Sequence, residues 1–168
     1  VNTTGNYGSG IGGGSRGDGG VITISNGEVT AKSKDGAGIG GGAYGFNHTG
    51  GTITISGGKV IATSTGSNGV GIGNGYRGGS GDNSGGSLSS GGNFIYATAN
   101  SVNADTSSFK GIIKNDGNTT IYGTYTLTED MTIIAGKNMT ISYGSSVIVP
   151  NDKILTVNGT LINNGILS

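Results

Sequence analysis

What this chain can fold into is constrained most by a repeat. The segment Gly8-Ser-Gly-Ile-Gly-Gly-Gly14 returns as Gly36-Ala-Gly-Ile-Gly-Gly-Gly42 and Gly69-Val-Gly-Ile-Gly-Asn-Gly75. After each copy comes a polar loop ending in Gly-Gly, at Gly20, Gly51 and Gly86. An alternating strand follows: Val21-Ile-Thr-Ile-Ser25, Thr52-Ile-Thr-Ile-Ser56, and the degraded Ser87-Leu-Ser-Ser90. A glycine turn then leads to a second strand, with Val29, Val60 and Phe94 at one offset from the serine. Ile11, Ile39 and Ile72 are about 28 and 33 residues apart, with a weaker echo at Gly111-Ile112. Periods of this size belong to stacked supersecondary units. The intervening loops vary in length while the strands do not, as in a solenoid whose insertions leave the core untouched.

The first copy also fits the G-x-G-x-x-G pattern of a dinucleotide loop. Such a loop needs a hydrophobic strand before it and a helix after it. Neither flank is present here, so the glycines are read as rung corners: positive φ, or close approach to the next rung. No helical periodicity occurs anywhere.

From about Thr119 the rhythm tightens. Met131, Met139, Val147 and Leu155 are eight residues apart, and Leu155, Leu161 and Leu167 are six apart. Turn pairs such as Ala135-Gly136, Tyr143-Gly144 and Asn158-Gly159 separate them. The expected fold is all-β: a single-stranded, right-handed parallel β-helix (solenoid). It is one domain over residues 1–168, with wide loop-bearing rungs over 1–118 and compact short-strand rungs over 119–168. Right-handedness rests on crossover chirality. Ile22, Ile24, Ile53 and Ile55 should point inward and Thr23 and Thr54 outward, with Ile11, Ile39 and Ile72 forming a third inward column. The chain begins inside a repeat and stops without a polar ending, so it reads as a piece of a longer surface protein.

Composition excludes some function classes. Lys+Arg and Asp+Glu are nine each, and the formal net charge is zero. Nothing draws the chain to nucleic acid or to an anionic membrane. No 18-residue apolar run is present to span a membrane. There is no cysteine, so neither a disulfide framework nor thiol chemistry enters.

Several constellations could carry function. Arg16-Gly-Asp18 is an integrin-type tripeptide in the first variable loop, and a tripeptide is a weak signal. Asp18, Asp35 and Asp82 lie near equivalent loops, where stacked oxygens could gather Ca²⁺. The second rung offers only Asn47 and His48 there, so solvated turn formers account for the acids better. Glu28 and Lys59 share an outward offset, followed by Asn93, and suit a cross-strand charge pair. His48 has no evident partner to orient it, and no rung gathers acids and bases densely enough for catalysis. Tyr7, Tyr44 and Tyr76 flank the three glycine-isoleucine segments, with Arg77 and Asn47 nearby. A line of tyrosines among polar groups can hold a sugar chain, although covering loop bases is the commoner use of such residues.

Gly36-Ala-Gly-Ile-Gly-Gly-Gly42 followed by Gly50-Gly-Thr-Ile-Thr-Ile-Ser-Gly-Gly-Lys-Val60 resembles repeats in cell-surface proteins of Gram-positive bacteria. The tail from Thr126 to Gly165 resembles short-rung segments of the same proteins. The layout is also similar to polygalacturonate-binding β-helix proteins, which carry Asp-Gly-Ile where this chain has Gly-Ile preceded by Ser, Ala or Val. The resemblance implies a secreted or wall-attached extracellular stalk or adhesin, not an enzyme, with a glycan or a host or cell-wall surface as partner. The alternative is a calcium-dependent pectin-type binding module or a polysaccharide lyase.

Overall fold

The computed structural model describes residues 1–45, 48–67, 69–76, 85–92 and 95–168. Among these there is no helix, and twenty short strands follow one another. The first turns of the coil are β1 (Asn2–Thr4), β2 (Ile11–Gly12) and β3 (Val21–Ile24), then β4 (Glu28–Ser33), β5 (Ile39–Gly40) and β6 (Thr52–Ile55). Next come β7 (Lys59–Ser64), β8 (Ile72–Gly73) and β9 (Ser87–Ser89), then β10 (Ile95–Ala99), β11 (Val102–Asn103) and β12 (Gly111–Asn115). From β4 to β11 each strand stacks on the one three places before it. Ile22 pairs with Ile53, and Ile53 with Leu88. Val29 pairs with Val60, and Ile39 with both Ile11 and Ile72. All these pairings are parallel, so the strands form three walls of a parallel β-helix.

The alternating pattern buries one face of each strand. Ile22, Ile24, Ile53, Ile55, Val60, Ile72 and Leu88 fill the interior, and Thr23 faces out. Ile11, on the terminal rung, is only partly buried but packs on the same core. The glycine after each column isoleucine has a specific task. Gly12, Gly40 and Gly73 sit at φ +124°, +132° and +122°. A Cβ on Gly40 would overlap the carbonyl oxygen of Gly73, and one on Gly12 that of Gly40. Those oxygens accept hydrogen bonds from Gly41 and Gly13, both at 2.9 Å. The column is therefore a backbone-on-backbone contact that any side chain would wedge apart.

Two registers differ from the sequence expectation. Ala97, not Phe94, lies opposite Val60, because the fourth turn shifts by three residues; Phe94 itself, like Asn93, lies outside the described residues. The fourth place in the glycine-isoleucine column goes to Val102-Asn103. Gly111-Ile112 instead pairs with Ile95 and Tyr96 in a different wall.

The larger departure is at Asp116-Gly117. There β12 turns into β13 (Asn118–Tyr122), and the two pair antiparallel, with Asn115 opposite Asn118. Both turn residues have positive φ, 45° and 77°, the conformation a two-residue I′ hairpin needs. The chain then coils again through β14 (Thr124–Thr126), β15 (Met131–Ile133), β16 (Asn138–Ile141), β17 (Ser146–Ile148), β18 (Leu155–Val157), β19 (Thr160–Asn163) and β20 (Ile166–Leu167). Met131, Met139, Val147, Leu155, Leu161 and Leu167 fall one to a strand on successive walls.

One eight-stranded sheet, β1-β4-β7-β10-β12-β13-β16-β19, runs through both coils. Ile113 packs into the first core and its neighbour Ile112 into the second. Adjacent strand residues point to opposite faces, so the two cores lie on opposite sides of this shared sheet. Strand direction also reverses at the hairpin, while the sheet keeps advancing. The hand of a coil depends jointly on strand direction and on the side that holds the core. Reversing both leaves it unchanged; reversing either alone would invert it. The hairpin and the face switch are thus a matched pair.

Candidate functional site

The stacking brings Tyr7, Tyr44 and Tyr76 into a ladder on one edge of the first coil. Ring centroids are 5.3 Å apart for Tyr7–Tyr44 and again for Tyr44–Tyr76, edge to face at 71° and 88°. Edge-to-face pairs at this spacing are each worth about 0.5–1.5 kcal/mol beyond the area they bury. The backbone sets the arrangement. The Ala43 amide donates to the Tyr7 carbonyl at 2.7 Å, and the Tyr44 amide to the Tyr76 carbonyl at 2.9 Å. Tyr44 has φ 65°, a left-handed corner uncommon outside glycine. Tyr7 precedes its glycine-isoleucine segment while the other two follow theirs, so adjacent rungs interleave.

Tyr7 is the most open of the three, at 47% exposure, and Tyr44 and Tyr76 are half-buried. Asp35 closes one flank. Its Oδ2 lies 3.4 Å from the Tyr44 hydroxyl, and its carbonyl accepts the Tyr76 amide at 2.9 Å. Desolvation, followed by the charge of Asp35, raises the Tyr44 phenol above its ordinary pKa. The phenol stays neutral and able to donate a hydrogen bond. Arg77 and Asn47, read from sequence as polar partners of this strip, lie outside the described residues.

The acidic residues are engaged separately. Asp18 Oδ1 accepts the Thr49 amide at 2.7 Å, tying the first variable loop to the second. This also commits the aspartate of the Arg16-Gly-Asp18 tripeptide to a contact within the chain. Asp35 belongs to the tyrosines, and Asp82 lies outside the described residues. Among the described residues no group of three or more His, Cys, Asp and Glu side chains could hold a metal ion. Glu28 and Lys59 form the expected cross-strand pair at 2.8 Å, exposed on both sides. It holds the Glu28 carboxyl below its ordinary pKa.

His48 differs from the sequence reading. It is buried, with Nε2 2.8 Å from the Gly42 carbonyl. Its own carbonyl accepts from Asn74 Nδ2 at 2.8 Å. Ring and backbone together brace the corner below the ladder, which no local sequence signal announces. The face switch creates a second feature that sequence reasoning missed. Tyr96 lies 53% exposed on the outer side of the first coil. Desolvation and a hydrogen bond with Tyr125, from the second coil, raise its pKa.

Three-strand turns, stacked isoleucine columns and glycine corners define a parallel β-helix repeat protein. Residues 22–43 and 53–76 match the family described as Beta helix repeat. Each matched segment runs from the inward isoleucine of an Ile-Thr-Ile strand through the glycine-isoleucine corner to the base of the tyrosine ladder. No curated protein and no solved structure matches the chain. The match supports a structural or binding repeat domain. No helix of the described residues is long and apolar enough to cross a membrane.

Proposed function

We propose that the protein is a non-enzymatic, extracellular surface protein, a stalk or adhesin, that binds carbohydrate along the edge bearing Tyr7, Tyr44 and Tyr76. The observation that carries this reading is the ladder itself: three aromatic rings from three separate loops at 5.3 Å intervals, with a carboxylate beside the middle one. That interval is close to the length of one sugar residue in an extended chain. Exposed ring surface can stack on sugar faces, and the Tyr44 hydroxyl and Asp35 can fix hydroxyl groups. A rigid solenoid suits such a strip, because the rungs hold the rings in place before a ligand arrives. An extracellular wall-attached or secreted setting accords with the resemblance to Gram-positive surface repeats.

A screen against plant, host and cell-wall glycans tests the reading, run with calcium and with a chelator. Saturable binding that Tyr44→Ala and Tyr76→Ala abolish, while both variants stay folded with melting temperatures only modestly lowered, is the expected result. Formation of unsaturated sugar ends would show a lyase instead. Absence of any glycan binding would leave a stalk alone.

A further inference from the structure

The face switch leaves the first strands of two walls of the second coil, β14 and β15, without a strand before them. The second coil is entered through the shared sheet, where β12 covers β13. Its other walls begin without a strand below them. β15 pairs only with β18, in a two-stranded sheet. The Met131 amide donates to the Ile154 carbonyl, and the Ile133 carbonyl accepts the Asn158 amide, both at 2.9 Å on the β18 side. Strand alternation therefore turns the N–H and C=O of Thr132 to the opposite, open side. Thr132 is exposed, and the adjoining Ile134 is 54% exposed.

A cavity of about 190 Å³ adjoins this edge, lined among others by Lys114, Thr119, Met131, Ile133 and Met139. Its apolar wall is the start of the second core. Its cation is Lys114. Three ion pairs form among the described residues: Lys59–Glu28, Lys137–Asp116 and Lys153–Asp152. Lys114 is in none of them, and the nearby Asp116 carboxylate is already taken by Lys137 at 3.1 Å.

A free strand edge, an apolar hole beside it and an unneutralised ammonium at its mouth are the elements of strand addition. Backbone hydrogen bonds supply the affinity, and pockets for alternate side chains supply the choice of sequence. We infer that the open edge of β15 takes an extended peptide segment of a partner protein. The segment seats an apolar side chain against Met131, Ile133 and Met139 and an acidic one against Lys114. The site is separate from the tyrosine ladder and does not depend on sugar binding.

The test uses the full chain and a labelled, end-blocked peptide, Asp-Thr-Val-Thr-Val-Thr, in fluorescence polarisation. Three control peptides carry Lys for Asp, Ser for Val, or N-methyl groups on the backbone. Binding should weaken about tenfold with Thr132→Pro, which removes one outward amide, and by a similar factor with each control peptide. Lys114→Glu should reverse the preference between the Asp and Lys peptides. Amide exchange at Thr132 should slow on binding, and melting temperatures of the variants should stay within a few degrees of the parent. No binding at millimolar peptide, or binding indifferent to Thr132→Pro and to N-methylation, would overturn the inference. So would a dimer of the free protein that Thr132→Pro dissociates, which would give the edge to a second copy.

Discussion

Replacing Gly40 by alanine tests most sharply whether the glycine-isoleucine segment is a rung corner. Two penalties add at this position. The backbone sits at φ +132°, where an L side chain is strained by about 1–3 kcal/mol. The new Cβ would also overlap the Gly73 carbonyl oxygen and approach that of Gly50 to 3.1 Å. Relieving that contact means lifting one rung off the next, a forced repacking of about 1–3 kcal/mol. Together they amount to about 2–6 kcal/mol, or a fall in Tm of about 4–24 °C in a domain of this size. Gly136→Ala is the matched control. Gly136 also has positive φ, 75°, but a Cβ there meets nothing within 4 Å, so only strain of about 1 kcal/mol applies. Thermal unfolding followed by circular dichroism reads both variants. Equal losses, or a Gly40→Ala protein as stable as the parent, would refute the claim that this glycine is held by contact with the rung above.

Three further outcomes follow from the same structure. Ile112→Ala and Ile113→Ala should each cost about 2–5 kcal/mol; amide exchange should localise the loosening to β16 and β17 in the first case and to β10 in the second. The Lys59 ammonium lowers Glu28, and the Ser107 amide, at 2.9 Å, lowers Asp105. Their stabilisation is complete above the ordinary carboxylate range, about pH 4, and fades as pH falls through the lowered values. Carbon-detected NMR titration should find both midpoints low, with Glu28 returning upward in Lys59→Ala. Desolvation raises the phenols of Tyr44 and Tyr122, so their stabilisation is present below about pH 10 and lost as pH rises through the raised values. Ultraviolet titration should show these two, together with Tyr96, ionising late, and urea midpoints should fall on the alkaline side as well as the acid side.

Much of the first coil was legible because period and burial agree. The Ile-Thr-Ile strands show which residues face in, and the glycine-isoleucine segments recur at the spacing of one turn. The tyrosine ladder was half legible. Sequence placed the three tyrosines near equivalent corners, but not the interleaving that brings Tyr7, from ahead of its segment, against Tyr44. The fourth turn misled because its strand carries Ala97 where earlier turns carry Val29 and Val60, so Phe94 looked like the core position that Ala97 fills. The hairpin was hidden for a different reason. Asp116-Gly117 resembles corners such as Asn26-Gly27 and Asn158-Gly159, and only the backbone beyond it shows whether the next strand continues the coil or runs back. One clue did lie in the sequence. Ile112-Ile113 breaks the alternation with two adjacent apolar residues, as a strand buried on both faces does. His48 carried no comparable sign: its ring meets the Gly42 carbonyl of its own turn, and its carbonyl meets the Asn74 side chain of the next.

We propose that the rungs assemble Tyr7, Tyr44 and Tyr76 into one glycan-binding edge. The most direct test is calorimetric titration of the parent and Tyr44→Ala proteins with the oligosaccharide that binds best in a glycan screen. The parent should bind saturably and the variant at least tenfold more weakly, with both proteins folded. Equal affinity in the two proteins, or a parent that binds no oligosaccharide, would contradict it.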